Sequence, residues 1–156
     1  MIDPVNITKF NQTHSELEEV LLFWVLAAGK NATTASRSLE KFLKEHKNPF
    51  KKILETVNLA NKLKSCGVGC SSAKSKTFYN LAKSKLNLKT CTVDDLESIW
   101  GIGPKTARCF VIHSRENARH AGLDVHVLHY LKDLGYTVPK QTPSGKKYKE
   151  IESIFL

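Results

Sequence analysis

LESIWGIGPKTARCFVIHSRENARHAGLDVHV, residues 96–127, is the stretch on which the reading of this chain turns. Two amphipathic helical segments meet at Gly101-Ile102-Gly103, and Pro104 suits the first turn of the second helix. Thr92 with Asp95 supplies a capping box for the first helix, so the hairpin spans about residues 93–114. A Gly-x-Gly turn of this kind can aim backbone N–H groups at a phosphate. Lys105 stands just inside the second helix, and Asp124 follows nineteen positions later, where it caps another helix. A lysine amine and a carboxylate brought together supply a nucleophile and a base. Such an amine must be made neutral by burial or by positive potential, and Lys105 lies at the positive end of a helix dipole beside Ile102, Thr106 and Cys109.

Outward from the hairpin, apolar residues recur three or four apart with almost no strand alternation, which predicts an all-α class. Thr13 and Glu16 form a second capping box, and LLFWVLAA, residues 21–28, is apolar enough for a helix buried on most sides. After the turn Gly29–Asn31, helices are predicted over about 34–46, 49–56, 59–65 and 72–86, with Gly67-Val68-Gly69 before the last of these. A polar loop over 115–122 leads to a helix from Asp124 to Leu134, stopped by Gly135, and a final helix covers about 144–155. Trp24 and Trp100 sit in apolar helical patterns and read as core.

The chain has 156 residues and a formal charge of +9, enough length for one domain over 1–156 or two small lobes sharing a cleft. Charge is unevenly placed. Residues 1–50 carry 6 basic and 6 acidic side chains, so 18 of the 24 basic and 9 of the 15 acidic residues fall in 51–156. That surplus favours a polyanion, since phosphate neutralisation releases counterions. A lysine-rich solvated surface is the alternative. No apolar run is long enough for a membrane span and the N-terminus lacks a signal-peptide layout, so an intracellular protein is expected. Cys66, Cys70, Cys91 and Cys109 lack zinc or iron–sulfur spacing and read as reduced packing residues. His126 and His129 form an i, i+3 pair without a third ligand, so no side-chain metal site is expected.

The segments GIGPKTAR and LDVHV, with LLFWVLAAGKNATTASRSLEKF upstream, resemble the helix-hairpin-helix (HhH-GPD) DNA glycosylase superfamily, which includes endonuclease III and the 8-oxoguanine glycosylase/lyases. The resemblance extends from about Leu17 to Phe155. It implies a two-lobed helical fold with the active site in the cleft between lobes. A lysine after the glycine signature places Lys105 among the bifunctional enzymes, whose lysine attacks C1′ to form a Schiff base before β-elimination, with Asp124 assisting. The chain lacks the four-cysteine cluster of many endonuclease III relatives, so no iron–sulfur centre is implied, and no cofactor is needed. The resemblance also implies an alkali cation, Na+ or K+, at the backbone carbonyl of Ile102.

The implied partner is double-stranded DNA with a damaged base or abasic site, bound by a monomer. Its phosphates would be held by the amides of Gly101, Gly103 and Lys105, with Arg108, Lys146, Lys147 and Lys149 as further contacts. Asn31 aligns with the residue that fills the gap left by an extruded nucleotide, and its rival role is to cap the next helix. His126 either touches a phosphate or packs. Whether the base is 8-oxoguanine or an oxidised pyrimidine stays open. So do two other functions: a non-catalytic helix-hairpin-helix DNA clamp, and a monofunctional glycosylase.

Overall fold

A computed structural model describes all 156 residues, Met1–Leu156. Nine helices and no strands make up the fold, the all-α class that the periodicity predicts. The first helix, α1 (His14–Ala27), starts at Thr13, whose hydroxyl accepts from the Glu16 N–H while the Glu16 carboxylate accepts from the Thr13 N–H. Seven of its residues are buried, among them Leu21, Leu22 and Phe23. It is the central helix, packing against α2 (Ala32–Leu43), α3 (Pro49–Glu55), α5 (Ser71–Lys83) and α7 (Pro104–Ser114). Phe42, Phe78 and Phe110 converge on it from three of these helices with no exposed surface. Each contributes about 1.5–3 kcal/mol by leaving water.

The apolar residues form two cores, and these position the site. The larger contains 24 buried residues drawn from α1 through α7. The smaller contains six, Ala121, Leu123, Leu128, Leu131, Tyr148 and Ile151, and belongs to α8 (Val125–Asp133), α9 (Gly145–Phe155) and the loop before α8. A large helical lobe therefore carries a small two-helix lobe, joined after α7 by the coil over 115–124. Gly135, at φ +96°, ends α8. The Tyr136 N–H there reaches back to the Leu131 carbonyl and the Gly135 N–H to that of Lys132.

Local differences from the sequence reading have identifiable causes. Helix α2 starts at Ala32 because Asn31 caps it, and it stops at Leu43 rather than running to His46. Lys44 and Glu45 both adopt positive φ there, with no glycine to announce the stop. Helix α5 ends at Lys83 instead of Leu86, because Ser84 turns to extended backbone and bonds the Leu81 carbonyl. The hairpin's first helix, α6 (Val93–Glu97), is short of Trp100. Trp100 is not core: its ring is half exposed, under the Lys76 ammonium at 4.1 Å. Cys66, Cys91 and Cys109 are buried, but Cys70 is exposed, since it lies outside the packed face at the start of α5. No helix is long and apolar enough to cross a membrane.

Candidate active site

The hairpin turn is built by one glycine that no other residue could replace and one ordinary one. Gly101 sits at φ +92°, and a Cβ there would lie 1.9 Å from the Thr77 hydroxyl on α5. Gly103 caps α7 with φ −91°, and a Cβ there would meet nothing within 4 Å. Folding thus demands glycine at 101 but not at 103. Buried Ile102 pins the turn to the large core. No side chain caps α7, so its first-turn amides and the positive end of its dipole are left for an external anion. The Ile102 carbonyl accepts no backbone N–H, which leaves it an oxygen donor of the kind an alkali cation would take.

Lys105, the second residue of α7, and Asp124, the N-cap of α8, meet across the two lobes with Nζ and Oδ2 4.0 Å apart. The other oxygen of Asp124 accepts from the Val127 N–H at 2.9 Å, which sets the carboxylate's direction. Each side chain is part exposed, so the pair can be reached from outside. Cys109, one turn beyond Lys105, is buried; burial pushes its thiol pKa up and keeps it protonated, although the Lys105 cation pulls the other way.

Beside Lys105 lies a recess of about 30 Å³ between α1 and α7, lined by Trp24, Ala27, Ala28, Lys105, Thr106 and Cys109. That is room for about one water. Trp24 stacks on His113, with ring centroids 5.2 Å apart, and its indole N–H is buried without a hydrogen-bond partner. The sequence pattern marked Trp24 as core. Its position in an apolar run could not show that one edge borders Lys105. Lys74 is the other lysine set apart by its surroundings: burial pushes its pKa down, and its ammonium donates to the Val25 carbonyl at 2.6 Å in the last turn of α1. That bond occupies it structurally.

The remaining residues expected to hold DNA divide three ways. Arg108 does not reach the surface. Only 3% of its side chain is exposed; Nε donates to Glu152 at 2.8 Å, one terminal nitrogen donates to the Pro104 carbonyl at 3.2 Å, and the guanidinium lies 4.5 Å from the Tyr148 ring centre. This corrects its reading as a phosphate contact: α9 packs over it and supplies the carboxylate that a buried guanidinium requires. Asn31 is exposed and its carbonyl oxygen accepts from the Thr34 N–H at 3.1 Å, so the helix-capping role is the one seen. His126, Lys146 and Lys147 are exposed, while Lys149 lies 3.7 Å from Asp94 at the far end of the hairpin. No ion pair or hydrogen bond joins these side chains to the Gly101–Gly103 turn. No group of three or more His, Cys, Asp or Glu side chains is placed to hold a metal.

The helix-hairpin-helix motif family matches residues 84–112. Among solved structures, the chain is similar to the 8-oxoguanine glycosylase/lyase of Methanocaldococcus jannaschii, crystallised with a 15mer DNA containing 8-oxoguanine. The TM-score is 0.70 and the identity 26%, over 93% of this chain and 72% of that one. No curated protein sequence matches. The helical architecture is thus that of the glycosylase fold, and the chain resembles the superfamily that its hairpin residues point to.

Proposed function

We propose that this chain, built on the helix-hairpin-helix glycosylase fold, is a base excision repair DNA glycosylase with abasic-site lyase activity, acting on an oxidised base. The observation that carries the reading is the Lys105–Asp124 pair, 4.0 Å apart across the two lobes at the uncapped start of α7. A clamp that only grips the backbone has no use for a carboxylate aimed at its hairpin lysine. The fold shared with a glycosylase/lyase supports the same reading.

In the proposed reaction the α7 amides of Gly103 and Lys105 hold a phosphate while the damaged nucleotide rotates out of the stack. Asp124 takes the proton from the Lys105 ammonium as the pair tightens to hydrogen-bond contact with DNA present. The neutral amine attacks C1′, the C1′–N bond breaks, and the base leaves with the bonding electron pair and takes up a proton. Ring opening gives a Schiff base between Nζ and C1′. Loss of a C2′ proton then expels the 3′ phosphate by β-elimination, and water releases the lysine. The recess beside Trp24 holds about one water as it stands, so base entry widens it. No redox or metal cofactor takes part in these steps. An alkali cation on the Ile102 carbonyl would add positive charge beside the bound phosphate. The protein is proposed to act as a monomer.

Borohydride reduction in the presence of an oligonucleotide bearing an abasic site or an oxidised base tests the proposal. A covalent adduct is expected. DNA binding without an adduct or base release would identify a clamp, and base release without an adduct a monofunctional enzyme. Asp124→Asn is expected to keep DNA affinity within a few-fold and to slow base excision by orders of magnitude, measured under single turnover; a parental rate would remove Asp124 from the mechanism. Binding should weaken steeply with salt. If Lys146 and Lys147 touch phosphates, replacing either with alanine lowers the slope of log affinity against log salt by about one.

A further inference from the structure

Asp124 ends a coil, residues 118–124, that has no secondary structure of its own to hold it. What holds it is a set of side chains from the C-terminal segment. The Ala121 N–H donates to Glu152 Oε1 at 2.7 Å, and the Ala121 carbonyl accepts from the Tyr148 hydroxyl at 2.7 Å. The Leu123 N–H donates to that same hydroxyl at 2.7 Å, and the Leu123 carbonyl accepts from the Thr142 hydroxyl at 3.0 Å. All four backbone groups of Ala121 and Leu123, three residues and one residue before the carboxylate, are thereby held. Tyr148 and Glu152 stand one turn apart on α9, so one helix face grips both.

That face is in turn fastened to the helix that bears Lys105. Glu152 Oε1 also accepts from Arg108 Nε at 2.8 Å, and the Arg108 guanidinium covers the Tyr148 ring. Arg108 is three residues past Lys105, one turn along α7. Gly122 closes the same approach from the other side, since a Cβ there would lie 3.0 Å from Cys109 Sγ. The neighbouring polar groups are His120, with Nδ1 3.4 Å from Glu152, and Glu97, 3.5 Å from Arg108. Arg108, Tyr148 and Glu152 are all buried. A closed circuit therefore runs from Lys105 along α7 to Arg108, through Glu152 and Tyr148 to the coil, and back through Asp124 to the lysine.

We infer that Tyr148 and Glu152 are positioning residues for the Lys105–Asp124 pair, which presupposes the lyase reading of Lys105: with Arg108 as anchor, they set how far the carboxylate stands from the amine. The small lobe shares only a six-residue core, so this buried polar circuit, more than apolar packing, fixes its register on α7. Reacting groups displaced by about 1 Å lose about a hundredfold in rate.

Tyr148→Phe keeps the ring under Arg108 and removes both hydroxyl bonds to the coil. In single-turnover borohydride trapping on an abasic-site duplex, it is expected to slow the rate at saturating DNA by about 10- to 100-fold, with the half-saturating concentration unchanged within twofold. Placed in an Asp124→Asn background, the same substitution should cost nothing further, because it acts through that carboxylate. A Tyr148→Phe variant that traps at the parental rate, loses only affinity, or loses as much again in the Asp124→Asn background overturns the positioning role. A parent protein that never traps overturns the lyase reading instead, and this role with it. Should Tyr148→Phe fail to fold, Thr142→Val removes one exposed staple on the same coil; it is expected to slow trapping several-fold, and an unchanged rate would count against the circuit.

Discussion

Lys105→Gln is expected to abolish covalent trapping on abasic DNA while leaving duplex binding within a few-fold of the parent. Glutamine has nearly the reach of lysine but its amide nitrogen is no nucleophile, so the Schiff base cannot form. Binding persists because the phosphate contacts proposed for the hairpin come from backbone amides at the start of α7, which the substitution leaves in place. The change also removes the ion pair to Asp124, but that pair is part exposed and worth little to folding. Gel analysis after borohydride reduction measures the first quantity and a binding titration the second. Lys74→Gln serves as the contrast, since the Lys74 ammonium is tied to the Val25 carbonyl. An adduct that survives Lys105→Gln and vanishes in Lys74→Gln would move the nucleophile to α5 and refute the assignment.

Gly101→Ala and Gly103→Ala are expected to behave oppositely although they are two residues apart. Alanine at 101 would have to adopt φ +92° and place its methyl 1.9 Å from Thr77 Oγ1 and 3.1 Å from Thr77 Cβ. Thr77 is buried and its hydroxyl donates to the Ala73 carbonyl, so turning it aside breaks that bond. The left-handed backbone costs about 1–2 kcal/mol and overpacking about 1–3 kcal/mol. Together they should lower the melting temperature by roughly 5–15 °C in a chain of this size. Thr77→Ala in the same molecule should return the packing part and leave the backbone part. Gly103→Ala meets no atom and needs no unusual φ, so its stability should stay within about 0.5 kcal/mol of the parent. Its methyl would stand where a phosphate approaches the α7 amides, so affinity for duplex DNA is expected to fall instead. Thermal melts and binding titrations on the two variants separate a glycine needed by the fold from one needed by the ligand. Equal melting temperatures for both would contradict the geometry of the turn.

Much of this is legible in the sequence. Thr13 with Glu16 and Thr92 with Asp95 announce helix starts because a cap is a bargain among four consecutive residues. The apolar run at Leu21 announces the central helix for the same reason of short range. Stops were harder. Lys44 and Glu45 take positive φ without a glycine, so no residue type marks the stop. Trp100 differs from the sequence reading because a helical period says which residues share a face, not whether another element covers that face; its ring stays half exposed under the Lys76 ammonium.

By itself, then, the order of residues determined the helices, the glycine hinge, and the separate candidacies of Lys105 and Asp124, since periodicity, capping and turn chemistry act over a few neighbours along the chain. Only the tertiary structure decided that these two residues meet, and that Arg108 does not join them on the surface. Both outcomes depend on where α9 lands. Glu152 lies 44 positions from Arg108 and Tyr148 lies 25 from Leu123. An arginine's destination is set by the distant carboxylate that compensates its burial, and a coil's by the distant hydroxyl that takes up its amides.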